Sequence, residues 1–198
     1  MRTVALALLL PLLAPLTLPA APAQAMPPTT DSAPAARATG LPSKAQWQAD
    51  VRAAYAKAQP GAYLAERVAS GEKRLAIVLD IDNTSLASHY AWPKPVGRTL
   101  KLAKRATKLG VAVIFVTGRY DDTLDEVTPA LTAAGYDYES ACGRKLGEAI
   151  VDGKQRCRAA YVDEGWTFIL NIGNHGTDFV GGDYERKVRL PGYRGLLG

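Results

Sequence analysis

Leu75-Ala76-Ile77-Val78-Leu79 runs without a polar residue straight into Asp80-Ile81-Asp82-Asn83-Thr84. Five apolar residues in a row predict a short strand buried on both faces. Such strands belong to parallel sheets covered by helices, and in those sheets ligands collect beyond the carboxyl ends of the strands. The acidic pair Asp80 and Asp82 therefore stands where a ligand is expected.

The same pattern recurs further along. Val111-Ala112-Val113-Ile114-Phe115-Val116 leads into Thr117-Gly118-Arg119, and Thr167 to Ile172 leads into Gly173-Asn174-His175-Gly176-Thr177-Asp178. Lys187-Val188-Arg189-Leu190 reads as a short final strand. Helical spacing is expected from about Gly97 to Leu109, with Leu102, Ala103, Ala106 and Leu109 inward and Lys101, Lys104, Arg105 and Lys108 on a solvated face. A further helical region spans about Asp122 to Ala134, with Thr128-Pro129 restarting it as N-cap and N1. Another runs from about Gln155 to Glu164, with Lys154 just before it. Ahead of the first strand, Ser43-x-x-Gln46 reads as a capping box. It opens a helix with Trp47, Val51, Ala54, Tyr55 and Ala58 on one face, closed by Pro60-Gly61 and followed by a short helix from about Ala62 to Ala69. Alternating strands and helices predict an α/β fold, a three-layer Rossmann-like arrangement around a mostly parallel sheet.

The chain has 198 residues, 47% apolar and 22% charged, with a formal charge of +5. This suits one globular domain and excludes a disordered or fibrous chain. Two cysteines are too few for a disulfide scaffold or a multi-cysteine zinc module, and two histidines leave little for an imidazole-built metal centre. Arg2, the apolar stretch Val4 to Leu18 and the exit Ala23-Gln24-Ala25 read as a signal peptide over residues 1–25. A membrane anchor is the competing interpretation, which Pro11 and Pro15 disfavour. Residues 26–42, rich in Pro, Ala, Thr and Ser, read as a flexible linker, and 43–198 as the single domain. Export to a periplasm, cell envelope or medium would expose Cys142 and Cys157 to oxidising conditions. There a pair can close a bridge; two buried free thiols are the alternative.

The three post-strand segments and Lys154 converge on one sheet edge. Two carboxylates two residues apart can divide the work of phosphate-ester cleavage, one attacking phosphorus and the other moving protons. A divalent cation and an ammonium must neutralise the anionic ester. Asp80 with Mg²⁺ and Lys154 meets that requirement, and the Thr117 hydroxyl can bind a phosphoryl oxygen.

These residues resemble the haloacid dehalogenase (HAD) superfamily, and more closely its secreted acid phosphatases of the class B/C, or IIIB, group. Asp80-Ile81-Asp82-Asn83-Thr84 is similar to that family's first motif, D-x-D-x-T, and Val116-Thr117-Gly118-Arg119 to its second. Lys154-x-x-x-Arg158 is similar to the third, with Lys145 as a rival lysine. Asn171-Ile172-Gly173-Asn174-His175-Gly176-Thr177-Asp178 is similar to the fourth, N-I-G-D-x-x-S-D, and Val188-Arg189-Leu190-Pro191 to its K-L-P ending. The likeness spans roughly Trp47 to Pro191.

The resemblance implies a hydrolase of phosphomonoesters. Asp80 would become an aspartyl phosphate, while Asp82 would protonate the leaving oxygen and then activate water. Mg²⁺ would be held by the Asp80 carboxylate, the Asp82 carbonyl and the fourth motif through Asn174 and Asp178. Thr117 and Lys154 would grip the phosphoryl group. Asn83, Thr84, Gly118, Arg119 and His89 are candidate substrate contacts, Asn83 and Thr84 also as supports of the loop. His89 sits in a flap, Ser88 to Trp92, where it would touch substrate or only pack; His175 would orient a ligand or only pack.

One position departs from the pattern. Asn174 stands where the family has Asp, and an amide brings no charge to a metal. Asp178 would have to compensate; the alternative is a secreted phosphate-ester binding protein with weak or no turnover. Only 32 residues separate Thr84 from Thr117 and 34 separate Arg119 from Lys154, so no large cap domain fits. The site should be open, screened by the flap and the N-terminal helices. The expected partner is a small phosphomonoester, with no nucleic acid, no membrane anchor after signal cleavage, and no oligomeric state specified.

Overall fold

Hydrophobic alternation along β1, Leu75–Leu79, divides the molecule into its layers. Leu75, Ile77 and Leu79 belong to one core cluster, Ala76 and Val78 to the other, and all five are buried. A strand covered on both faces needs helices above and below it. The computed structural model describes residues 40–197. The signal peptide expected over 1–25 lies outside the described residues, as does the linker apart from its last three positions. There, Leu41 packs on the core and the Pro42 carbonyl accepts from the Tyr90 hydroxyl at 2.9 Å.

The sheet has five strands in the order β3-β2-β1-β4-β5, and every pairing is parallel. Its strands after β1 are β2 (Ala112–Tyr120), β3 (Ser140–Arg144), β4 (Thr167–Gly173) and β5 (Arg186–Arg189). β3 is absent from the sequence-based assignment. Its residues, Ser-Ala-Cys-Gly-Arg, carry no apolar run, because this edge strand is only partly buried. Helices α1 (Lys44–Ala58), α2 (Pro60–Ala69) and α4 (Gly97–Lys108) lie near the expected spans, although Pro60 opens α2 instead of closing α1 and Leu109, expected inward, is exposed past the end of α4; α3 (Ser88–Ala91) is a single turn within the expected flap. α5 (Thr128–Ala133) follows a 3₁₀ segment, Asp121–Glu126, and α6 covers Ile150–Asp163. α6 starts earlier than periodicity suggested, so Lys154 lies inside it rather than before it. Ser43 caps α1 by accepting from the Gln46 N–H at 3.2 Å.

The larger core cluster lies between the sheet and the α1, α2, α4 side. Trp47, Leu64, Leu102, Phe115 and Leu131 belong to it. The smaller cluster, with Ile114, Val116, Cys157 and Phe168, lies under α6. The chain runs β1-β2-β3 to one side and then crosses to β4 on the other side of β1, so a crevice opens between β1 and β4 at their carboxyl ends. Among the described residues no helix is long and apolar enough to cross a membrane.

Candidate active site

β1 delivers Asp80 to that crevice. Its backbone N–H donates to the Ile172 carbonyl of β4 at 3.0 Å, which carries the sheet pairing into the loop. The chain then turns tightly. The N–H groups of Ser85 and Leu86 both return to the Ile81 carbonyl at 2.9 Å, Asn83 adopts a left-handed φ of 54°, and the Ser85 hydroxyl donates to the Asp80 carbonyl at 2.7 Å. Asp80, 5% exposed, is thereby fixed at the floor of a cavity of about 230 Å³. Asp80, Asp82, Thr117, Gly118, Arg119, Lys154 and Asn174 all line this cavity, together with Ile150, His175, Thr177 and Leu197.

Lys154 reaches the floor from the first turns of α6. Its Nζ contacts Asp80 Oδ1 at 2.8 Å and also Asp178 Oδ1, and all three side chains are buried. One ammonium shared by two buried carboxylates leaves negative charge unneutralised. Burial pushes Asp80 up to about 7, with Lys154 pulling it back and Asp178 pushing it further up. Burial pulls Lys154 down, but the Asp80 and Asp178 charges outweigh it and hold the ammonium above its ordinary range. Arg158, one turn beyond Lys154 on α6 and fully buried, donates to the carbonyls of Asp178 at 3.1 Å and of Val180. It ties the loop after β4 to the same helix. Gly173 completes the fit, since a Cβ there would come within 2.2 Å of Asp178 Oδ2.

Asp82 sits at the rim. Arg119 forks onto it, Nε to Oδ2 at 2.8 Å and Nη2 to Oδ1 at 2.7 Å, and the Ser88 hydroxyl adds a bond to Oδ1 at 2.5 Å. The Arg119 guanidinium lies 5.7 Å from the centre of the exposed Trp92 ring. The Thr117 hydroxyl, fully buried, accepts from the Arg119 N–H at 3.2 Å.

Not every expected site residue reaches the cavity. Asp178 is withdrawn behind Lys154, and its Oδ2 accepts from the His175 N–H at 2.7 Å, so both oxygens are engaged. Asn83 spans the loop, with Oδ1 accepting from the His89 N–H at 2.9 Å. The carbonyl of buried Thr84 accepts from the Thr99 hydroxyl at 2.7 Å. His89 is exposed and packs edge-on against Tyr90, which also stacks on Trp47 at 4.8 Å. None of these four lines the cavity, and neither α1 nor α2 contributes a residue to it. Lys145 lies in the loop after β3 and is likewise outside. Two contributors had no sequence signal as site residues. Ile150 and Leu197 are ordinary aliphatic residues in segments without a motif, and only the tertiary fold brings them to the site. A larger groove of about 490 Å³ between α1 and α4 holds none of the motif residues.

Cys142 on β3 and Cys157 on α6 form a disulfide with Cα atoms 5.8 Å apart. It fastens the helix that carries Lys154 to the partly buried edge strand.

For Mg²⁺ the available donors are the second carboxylate oxygen of Asp80, the Asp82 carbonyl and the Asn174 amide oxygen. All are hard oxygens, as Mg²⁺ requires. Among the described residues no group of three or more His, Cys, Asp or Glu forms a metal cage. Mg²⁺ does not need one, since one or two carboxylates with substrate phosphate and water suffice. The uncompensated charge around Asp80 also suits a dication, so the residues fit the ion.

A doubly wound parallel sheet, with an acidic pair at its central strand and a buried ammonium opposite, defines a haloacid-dehalogenase-type α/β protein. The profile of the HAD superfamily, subfamily IIIB (acid phosphatase), matches residues 90–194, more than half of the chain. The chain belongs to that family and is by class a phosphoric monoester hydrolase. Asp80 and Asp82 precede the matched span; the Lys154–Asp80 contact joins them to it. Among solved structures, the chain is similar to the class C acid phosphatase from Bacillus anthracis, at 17% identity and a TM-score of 0.60 over 78% of this chain and 82% of that one. The same enzyme with tungstate bound aligns at 19% identity with the same score and coverage. A comparison with curated proteins finds no match.

Proposed function

We propose that the chain is an exported, Mg²⁺-dependent phosphomonoesterase that works through an aspartyl phosphate on Asp80. The carrying observation is the buried contact between Asp80 and Lys154 at the floor of a cavity that also presents Thr117, Asp82 and Asn174. A carboxylate oxygen of Asp80 attacks phosphorus, the P–O bond to the leaving group breaks, and Asp82 gives its proton to the departing oxygen. Water then attacks the acyl phosphate, Asp82 takes the proton back, and inorganic phosphate leaves. Lys154 and the Thr117 hydroxyl hold the phosphoryl oxygens throughout. Asp82 must exchange Arg119 and Ser88 for the leaving oxygen, and its place at the rim permits that exchange.

Bound Mg²⁺ would neutralise phosphoryl charge, held by Asp80, the Asp82 carbonyl and Asn174. Asp178 serves as the counter-charge that orients Lys154. Tungstate is a tetrahedral oxyanion like phosphate, and its presence on the related enzyme supports an oxyanion site on this fold. Export rests on the amino-terminal sequence, and the Cys142–Cys157 bridge is consistent with it.

The test is phosphate release from a chromogenic aryl phosphate by the purified domain. Hydrolysis that is lost in EDTA and restored by Mg²⁺ is expected. Full activity in EDTA would contradict the metal dependence.

A further inference from the structure

The departure at Asn174 has a structural counterpart on the far side of its amide. The Asn174 Nδ2 donates to the main-chain carbonyl of Leu197 at 2.8 Å, and the Asn83 Nδ2 donates to the same oxygen at 3.2 Å. Both asparagines and Leu197 are buried, and the Leu197 side chain lines the catalytic cavity. A carbonyl oxygen has two lone pairs, and here each finds an amide donor. The segment leading to it is held along its length. Leu190 N–H donates to the Gly173 carbonyl at 2.8 Å, and the Tyr193 hydroxyl donates to Asp50 Oδ2 on α1 at 2.6 Å. Gly192 packs so closely that a Cβ would lie 2.1 Å from the Asn174 carbonyl oxygen.

We infer that Asn174 is a positioning residue. Its amide clamps residues 192–197 into the site, and Leu197 is thereby set as an apolar wall that determines which ester groups fit. A carboxylate at 174 has no hydrogen to donate and would place a negative oxygen against the Leu197 carbonyl. The amide is therefore required by the wall, while its Oδ1, which accepts one long bond from the Thr84 hydroxyl at 3.5 Å, keeps a second lone pair for a cation. With Ile150 as the other aliphatic contributor, Leu197 favours phosphomonoesters whose leaving group is apolar or aromatic over small polar ones. This substrate preference rests on the phosphomonoesterase function proposed above; the clamp does not.

The deciding experiment is hydrogen exchange by mass spectrometry on the whole protein, wild type against Asn174→Asp and Asn83→Asp. Asn83 supplies the second donor to the same carbonyl from a side chain outside the expected metal ligands, and exchange measured in EDTA removes metal effects from both variants. Both variants should exchange residues 192–197 faster by roughly tenfold, the loss of one buried hydrogen bond, with β2 and β3 unchanged. Asn83→Asp should raise KM for an aryl phosphate more than it lowers kcat, and less so for a small alkyl phosphate. Wild-type exchange at 192–197 in both variants would overturn the clamp, whether or not the protein hydrolyses esters. Faster exchange with equal KM effects on both esters would overturn the wall. Faster exchange in a protein without hydrolysis would uphold the clamp and count against the phosphatase function alone.

Discussion

The cavity has two ion-pair systems of opposite character. At its floor, Lys154, Asp80 and Asp178 have side chains only 2–7% exposed. At its rim, Arg119 and Asp82 are 31% and 29% exposed. The floor holds its charges out of water with little room to move, which suits a nucleophile and its counter-charge. The rim lets its carboxylate trade partners with solvent and ligand, which suits a proton carrier. The two acids stand two residues apart on one loop, yet differ in burial and in the cation each faces.

Four changes sharpen or break that contrast. Lys154→Met should have the largest effect, because it leaves Asp80 and Asp178 buried without their shared cation. Denaturant unfolding should show a loss of about 3–5 kcal/mol, and hydrolysis should fall by about 10²–10³-fold. Cys142→Ser opens a loop of sequence separation 15 and should cost about 3 kcal/mol under oxidising conditions, with no loss when the wild type is reduced.

The third test uses pH. Asp80 is pushed up to about 7 in the folded protein, above its ordinary value of 3.8. A raised carboxyl contributes stability that is full below the unfolded value and lost as pH rises through the folded one. Metal-free wild type should therefore lose stability relative to Asp80→Asn as pH rises from about 4 to about 8, most of it below pH 7. A constant difference across that window would show that the floor does not strain its nucleophile. Smallest is Arg119→Met. A partly exposed pair should change stability by about 1 kcal/mol or less, while kcat falls as Asp82 loses its orientation. A loss as large as that of Lys154→Met would erase the distinction between floor and rim.

Much of this was legible in the sequence. Apolar runs mark the buried strands β1, β2 and β4, broken only by Asn171 in β4, and the polar residues after each run are the ones that meet. The edge strand β3 stayed hidden because a partly buried strand needs no apolar run. The start of α6 was misplaced because Gly153 in its second turn weakens helical spacing, although that glycine packs directly on Arg144 of β3. At the site, motif order pointed to Asp80, Thr117 and Lys154, and the fold brings all three to one cavity. Motif order could not separate Asp178, Asn83, Thr84 and His89 from the cavity, because polar side chains that brace a loop look the same in sequence as those that face a ligand. Leu197 had no signal at all; it is held in the cavity through its carbonyl, which every residue possesses.

Acid quenching during turnover tests most directly whether Asp80 carries the phosphoryl group. Wild-type protein mixed with an aryl phosphate, quenched and mapped by mass spectrometry, should carry one acid-stable, base-labile phosphoryl group on Asp80, and Asp80→Asn should carry none and lose about 10⁴-fold or more in kcat. Near-normal turnover by Asp80→Asn, or a label on another side chain, would contradict the account.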